Sequence, residues 1–217
     1  MKTRLLSLAC ILAAVCPILL PGHAAQACSH SSAVVSTEWL ARHQDRPDLV
    51  LVDIRTSAEY AAGHVAGAVS IPFEMPISAW TSMNNGLLME LPAESELSAT
   101  LGNAGITRNS YVIVINNTEM EGVPPAFPRA QTARVAVTLL NAGVREVAIL
   151  DGGMQKWSRE SRALSTETAT PKPVTFNGRT RKDIFVSKEQ VASSLRDRHK
   201  VLIDARDRKI RLTEKET

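Results

Sequence analysis

The sequence predicts an α/β protein with a mostly parallel β-sheet covered by helices on both faces. Short, continuous apolar runs, such as residues 49–54 and 111–115, alternate with segments of helical character. Strands that are buried on both faces read as unbroken apolar runs of this kind. The connections between successive strands are ten or more residues long, which is the length that parallel crossovers require.

The predicted elements alternate along the chain in a regular order. They are helix 37–42, strand 49–54, helix 57–62, strand 65–71, helix 93–102, strand 111–115, helix 130–142, strand 146–150 and helix 154–160.

Local signals mark an end of three of the first four elements. Ser36 is a good N-cap residue for the first helix, because its hydroxyl oxygen can accept from a free backbone N–H. The helix 57–62 is expected to end at Gly63, which tolerates the backbone angles of a helix terminus. The following strand, 65–71, is expected to stop at Pro72, since proline has no N–H to donate to a sheet.

The later elements surround a long polar loop. The helix 93–102 begins with acidic residues, which favour a helix N-terminus. After the strand 111–115 comes a loop predicted to span residues 116–129, with three prolines. The last strand, 146–150, is closed by the turn residues Asp151, Gly152 and Gly153 before the final helix.

The N-terminus resembles an export signal. Lys2 and Arg4 precede an apolar run over residues 5–20, and Ala25-Gln26-Ala27 has the small-x-small pattern of a cleavage site. We therefore expect residues 1–27 to be a signal peptide and the mature protein to be periplasmic or secreted.

Cleavage at that position would make Cys28 the first mature residue. Lipidation of Cys28, giving a membrane-tethered lipoprotein, is the alternative, but Ala25 stands where lipoprotein signals favour leucine. The other two cysteines, Cys10 and Cys16, lie within the signal. No internal disulfide is therefore expected in the exported protein.

Charge gives no indication of a nucleic-acid partner. Loss of the signal lowers the formal net charge from +3 to +1, and the remaining charges of both signs are interspersed. Membrane association is expected only if Cys28 is lipidated. No basic stripe with interleaved aromatic residues is present, so nucleic-acid binding is not expected.

The chain partly repeats itself after a polar segment. Residues 161–176 contain prolines and read as a linker. Beyond them, VSKEQVASSLRDRHKVLIDAR at 186–206 matches VSTEWLARHQDRPDLVLVDIR at 35–55, with a constant offset and no gap. A domain duplication explains this match economically. We assign 184–206 as the start of a second, truncated copy and 207–217 as a divergent tail; either the tail is disordered or a longer protein has been shortened.

Several motifs occur in a fixed order along the chain. They are Asp53 and Arg55, Glu59 and Tyr60, GHVAGAVSIP at 63–72, and VAILDGGMQKW at 147–157, which follows ARVAVTLLNAG at 133–143. This order resembles the rhodanese homology domain, whose members carry an Asp-x-Arg motif, an acidic–aromatic pair, a Gly-His turn and a late Leu-Asp-Gly-Gly run. The resemblance implies a rhodanese-like domain over residues 34–160.

The layout is similar to that of the two-domain thiosulfate and 3-mercaptopyruvate sulfurtransferases. In that family a cysteine after the central strand of the second domain takes up sulfur as a persulfide and passes it to cyanide or a thiol. The resemblance thus implies a small sulfur-containing anion or a thiol acceptor as partner and no cofactor. It also implies that residues 34–160 are the non-catalytic type of domain.

The loop after strand 111–115 begins with Asn116 and Asn117, at the position of the family cysteine. Neither residue can form a persulfide, and the prolines in 116–129 remove N–H groups that an anion cradle would need. We therefore expect no sulfur transfer by this chain alone. The alternative is a mature periplasmic module that binds a partner or a small anion through the 116–129 loop.

The remaining motif residues are interpreted as structural. Asp53, Arg55, Glu59 and His64 could form a catalytic cluster, but hydrogen bonds that pin loops at the sheet edge explain them as well. Asp151, Gly152 and Gly153 fit a strand-to-helix turn better than a phosphate loop. The mature histidines lack metal-ligand spacing, so no metal site is predicted.

Overall fold

A computed structural model describes residues 32–124 and 126–205. The predicted signal 1–27, Cys28 and the tail 207–217 lie outside the described residues. The elements, in chain order, are β1 Val34–Val35, α1 Thr37–His43, β2 Leu49–Asp53, α2 Ser57–Ala62, β3 Val69–Ser70, β4 Ser82–Asn84, β5 Leu87–Glu90, α3 Glu94–Asn103, β6 Tyr111–Ile115, α4 Ala126–Ala142, β7 Glu146–Leu150, α5 Gly153–Arg159 and α6 Lys188–Ser194.

The main sheet has five strands in the order β1-β7-β6-β2-β3. All of its pairings are parallel, and the central strand β6 lies between β2 and β7. This confirms the predicted fold class.

Alternate residues of β6 point to opposite faces of the sheet, as the period of a strand requires. Val112 and Val114 pack in a core with residues of α3 and α4. Tyr111, Ile113 and Ile115 pack in a second core with residues of α1, α2 and α5. Because both faces are covered, β6 is buried throughout.

Two of the predicted helix boundaries are confirmed in atomic detail. The Ser36 hydroxyl accepts a hydrogen bond from the N–H of Trp39 at 3.0 Å, as an N-cap should. The N–H of Gly63 donates to the carbonyl of Tyr60, which ends α2.

Two predicted boundaries differ from the structure. The expected strand 65–71 is reduced to β3, because the chain turns before it: Ala68 N–H donates to the Val65 carbonyl at 3.0 Å, and Gly67 has a φ of 78°. Helix α4 begins at Ala126 rather than near residue 130. Pro128 lies in its first turn, where the missing N–H would have had no helical partner.

The antiparallel pair β4–β5 was not predicted. Its turn contains Asn85 and Gly86, both with positive φ. An Asn-Gly pair between strands is a strong signal for a tight hairpin. The signal was therefore present in the sequence, although the flanking residues lack clear alternation.

The segment predicted as a linker, 161–176, is docked on the domain. We call residues 163–181 the strap. Hydrogen bonds between backbones join it to the domain at three places, linking Ser165 to His64, Val174 to Gly102 and Arg181 to Asn141. The polar composition of the strap reflects its position on the surface, not a lack of order.

The repeated segment forms its helix but not its strand. Ser187 caps α6 as Ser36 caps α1. Residues 200–204, which match strand β2, form no strand, and Val201 and Ile203 are 82% and 84% exposed. Strand β2 has hydrogen-bonded neighbours on both sides, whereas none of the described strands pairs with 200–204.

The described helices give no indication of a membrane span. None of those within 32–124 and 126–205 combines the length and the apolar character needed to cross a bilayer.

Candidate functional site

The parallel strands β2, β6 and β7 end at the same edge of the sheet, and the motif residues that follow them meet there. A cavity of about 250 Å³ opens at this edge. Its lining includes Asn116 and Asn117 after β6 and Asp151, Gly152 and Gly153 after β7. In open parallel sheets, binding sites form at this edge.

The side chain of Asn116 holds the loop against α4. It is 6% exposed, and its amide nitrogen donates to the Pro128 carbonyl at 3.1 Å and to the Thr132 hydroxyl at 3.2 Å. Its side-chain oxygen accepts from the N–H of Asn117 at 2.8 Å. The carboxamide is thus engaged on both its nitrogen and its oxygen, and a carboxamide is not a sulfur nucleophile.

Asn117 connects the same loop to α2. Its amide nitrogen donates to Glu59 at 2.6 Å. Glu59 also accepts from the N–H and the hydroxyl of Thr56, which completes the capping box of that helix. Burial by itself would raise the pKa of Glu59, but the hydrogen bonds from Thr56 and Asn117 and the nearby charge of Arg55 together lower the pKa below its ordinary value.

Glu59 should therefore make stability depend on pH in the acid range. A carboxyl whose pKa is lowered by folding stabilises the protein above its unfolded pKa, and this contribution is lost as the pH falls through the folded pKa. We expect Glu59→Gln to lower the free energy of unfolding by about 1 kcal/mol at neutral pH. At about pH 3, where the unfolded carboxyl is protonated, the difference between the two proteins should be smaller. Urea unfolding of both proteins at each pH measures this; an equal difference at both would contradict it.

Asp53 and Arg55 form a buried ion pair beside the site. The Arg55 Nη2 lies 2.7 Å from an Asp53 carboxylate oxygen, with the two side chains 7% and 0% exposed. The same guanidinium donates to the Gly63 carbonyl at 2.9 Å. The pair thus fixes the end of β2 to the turn after α2. Neither residue is among those that line the cavity.

His64 lies beneath the strap and is also not among the residues that line the cavity. It is fully buried, and its ring stacks on Tyr60 with 3.7 Å between the ring centroids. The structure therefore does not gather Asp53, Arg55, Glu59 and His64 around the cavity. Glu59 contacts one cavity residue, Asn117, through a hydrogen bond.

The two glycines after β7 allow α5 to approach β6. Gly152 and Gly153 have φ values of 71° and 54°, a region that favours glycine. A side chain on Gly153 would collide with the carbonyl of Asn116, to which Met154 N–H donates at 3.0 Å. Asp151 pairs with Lys156 at 2.6 Å on the surface. These contacts support the interpretation of a strand-to-helix turn.

Sequence reasoning missed the residue that ties the loop to α5. Gln155 accepts from the Thr118 N–H at 2.8 Å and donates to the Glu119 carbonyl at 2.8 Å. It lies within the LDGGMQKW stretch, but only the fold brings it opposite the loop. Arg129, in the first turn of α4, adds a cationic side chain to the cavity lining.

The described residues provide amides, hydroxyls and one arginine at this edge, and no thiol. Within that part of the chain, no three His, Cys, Asp or Glu side chains lie close enough to hold a metal ion. The arrangement contains no group that can carry sulfur covalently.

The strand order and the loop after the central strand define an α/β domain with its cleft at the ends of β6 and β7. The profile of the family described as the rhodanese-like domain matches residues 36–160, and the chain belongs to this family. The resemblance that the motifs indicated is therefore confirmed.

The chain is similar to proteins named as sulfurtransferases. It is 26% identical over 186 residues to the thiosulfate sulfurtransferase of Rattus norvegicus, and the matched region covers 80% of this chain and 59% of the rat protein. It is 25% identical over 182 residues to the 3-mercaptopyruvate sulfurtransferase of Escherichia coli K12, covering 79% of this chain and 60% of that protein. The chain thus spans about three fifths of the length of these relatives.

A solved structure agrees on the fold. The 3-mercaptopyruvate sulfotransferase SseA of Escherichia coli superposes with a TM-score of 0.61 and 23% identity, over 76% of this chain and 63% of that one.

Proposed function

We propose that this chain contributes the non-catalytic rhodanese domain of an exported sulfurtransferase, and that residues 34–160 form no persulfide. The reaction of the whole protein would be sulfur transfer from thiosulfate or 3-mercaptopyruvate to cyanide or a thiol. The names of the relatives support this reaction class. The relatives extend beyond the matched region, where a nucleophile could lie.

The observation that carries the proposal is the environment of Asn116. A persulfide forms when a thiolate attacks the outer sulfur of the donor, and for thiosulfate the leaving group is sulfite. At the end of β6 the chain has a carboxamide whose nitrogen and oxygen are engaged in hydrogen bonds to α4 and to the next residue. That group secures the loop and cannot attack sulfur.

The proposed export of the protein and its proposed second domain copy rest on the sequence alone. Residues 1–27 support export to the periplasm or beyond, and Cys28 would be the attachment point of a lipid if the protein were tethered to a membrane. The matching segments 35–55 and 186–206 support a duplicated domain beginning at residue 184. In such a protein the strap would connect the two copies.

Ligand binding without catalysis is the second candidate function. The cavity is lined by residues that include Asn117, Thr118 and Arg129. A small sulfur-containing anion would find hydrogen-bond donors and one positive charge there. Calorimetric titration with thiosulfate tests this candidate. A domain that binds thiosulfate should give a saturable heat of binding, whereas a purely structural domain should give none.

An activity assay tests the proposal directly. Purified residues 28–217 should transfer no sulfur from thiosulfate to cyanide, nor from 3-mercaptopyruvate to a thiol, above the rate without protein. The variant Cys28→Ser is the matched control, since Cys28 would be the only thiol left after cleavage of the signal. Turnover that survives Cys28→Ser would overturn the proposal.

A further inference from the structure

A buried histidine connects the strap to the domain. The backbones of His64 and Ser165 exchange two hydrogen bonds, each 2.9 Å long. Nearby, the N–H of Ala169 donates to the Tyr60 hydroxyl at 3.2 Å. The first part of the strap is therefore held at the place where the His64 ring is buried.

Both ring nitrogens of His64 face backbone carbonyl oxygens. Nδ1 lies 2.8 Å from the Tyr60 oxygen, and Nε2 lies 3.0 Å from the Glu167 oxygen of the strap. A carbonyl oxygen can only accept, and a neutral imidazole has a single N–H. Only the protonated ring can donate to both. In the neutral ring, one nitrogen lone pair would point at a carbonyl oxygen, and the ring is too buried for water to intervene.

The surroundings of the ring are compatible with a positive charge. The Tyr60 ring lies parallel to the imidazole, at an angle of 7°, and an aromatic face attracts cations. From the end of β2, the Arg55 guanidinium donates to the Gly63 carbonyl, but its charge is paired with Asp53. On the strap, Glu167 supplies its carbonyl to the ring, and the residue itself is exposed.

We propose that His64 is a pH-dependent latch for the strap. The protonated ring donates to Tyr60 and to Glu167 and holds residues 163–169 on the domain. Loss of the proton removes one of these two bonds and loosens the same residues. Docking is therefore firm in acid and weakens as the pH rises and the ring loses its proton.

Hydrogen exchange and ¹⁵N chemical shifts of the same protein test the latch. The observable is the protection factor of the Ser165 and Ala169 amides, because a protection factor removes the intrinsic pH dependence of exchange. We expect it to be about tenfold higher at about pH 5.5 than at about pH 8, which is the effect of one hydrogen bond from a charged donor. The ¹⁵N shifts should show both His64 ring nitrogens protonated at the lower pH. The two changes should have the same midpoint.

Two histidine variants give the contrast. His64→Gln should abolish the pH dependence of strap protection. His43→Gln should leave it intact, because the His43 ring contacts the Trp39 carbonyl within α1 through Nδ1. If His64→Gln does not fold, the shared midpoint in the unmodified protein decides. A neutral His64 ring at about pH 5.5, equal protection at both pH values, or the same pH dependence in a folded His64→Gln protein would overturn the proposal.

Discussion

Asp53→Asn is expected to lower the free energy of unfolding by about 3–5 kcal/mol. The substitution removes the charge that neutralises Arg55, whose side chain is 7% exposed. The guanidinium would then be left in the interior with a neutral amide partner, and the desolvation of a buried charge is costly when its counter-charge is absent. Urea unfolding of the two proteins at neutral pH measures the loss.

The chain provides a matched control for this variant. Arg46 and Asp48 have the same spacing, with Nε to Oδ1 at 3.0 Å and Nη2 to Oδ2 at 2.7 Å, but their side chains are 37% and 42% exposed. Because water solvates both charges, Asp48→Asn should cost only about 0–1 kcal/mol. Equal losses in the two variants would show that burial of the Asp53 pair does not determine its contribution.

A double replacement of the same pair tests whether the loss of stability in Asp53→Asn comes from the uncompensated charge of Arg55. If Asp53 and Arg55 only fix the end of β2 to Gly63, then replacing both with apolar residues of similar size should restore part of the stability lost in Asp53→Asn. The double variant Asp53→Leu, Arg55→Met is the test. A double variant less stable than the single one would contradict this, and would mean that the bond from Arg55 to Gly63 is the larger contribution.

The strands were predictable from the sequence because burial on both faces leaves a strong local signal. Residues 111–115 are apolar at every position, and the parallel sheet buries every one of them. The expected strand 65–71 was wrong because Gly67 permits a turn that an apolar pattern does not reveal. The start of α4 was misplaced because three prolines suggested a loop, although a proline is well tolerated in a first helical turn.

The candidate site was only partly predictable. Asn116 could be placed at the end of the central strand from the order of the elements alone. Its hydrogen-bond partners, Pro128 and Thr132, could not be foreseen, since the helical turn that contains Pro128 and brings both residues to the loop was predicted to be part of that loop. Gln155 was missed because its contacts join helix α5 to the loop after β6, two segments that are distant in sequence and close only in the fold.

The docked strap was the least predictable feature, because its contacts are mainly between backbones. Its residues read as a polar linker, and composition does not show which glycines on the domain leave room for another chain. Gly102 and Gly143 both lie directly against strap backbone. Either glycine, taken alone, reads as a residue near the end of a helix. The close approach appears only once the strap has been placed.

Gly143→Ala should therefore destabilise the protein by more than its backbone angle alone explains. Gly143 has a φ of 100°, and an added Cβ would lie 2.5 Å from the backbone nitrogen and oxygen of Arg179. Substitution at a positive φ alone costs about 1 kcal/mol. Displacing the strap should add roughly 2 kcal/mol or more, because the nearby bond from Arg181 to Asn141 would be lost as well.

Gly122→Ala separates the cost of the backbone angle from the cost of displacing the strap. Gly122 also has a positive φ, 71°, but an added Cβ would meet no atom within 4 Å. It should therefore show only the backbone cost, on the order of 1 kcal/mol in urea unfolding. Trypsin should cleave after Arg179 much faster in Gly143→Ala than in Gly122→Ala, since only the first variant releases the strap. Equal stability and equal cleavage in the two variants would mean that the strap is not held at Gly143.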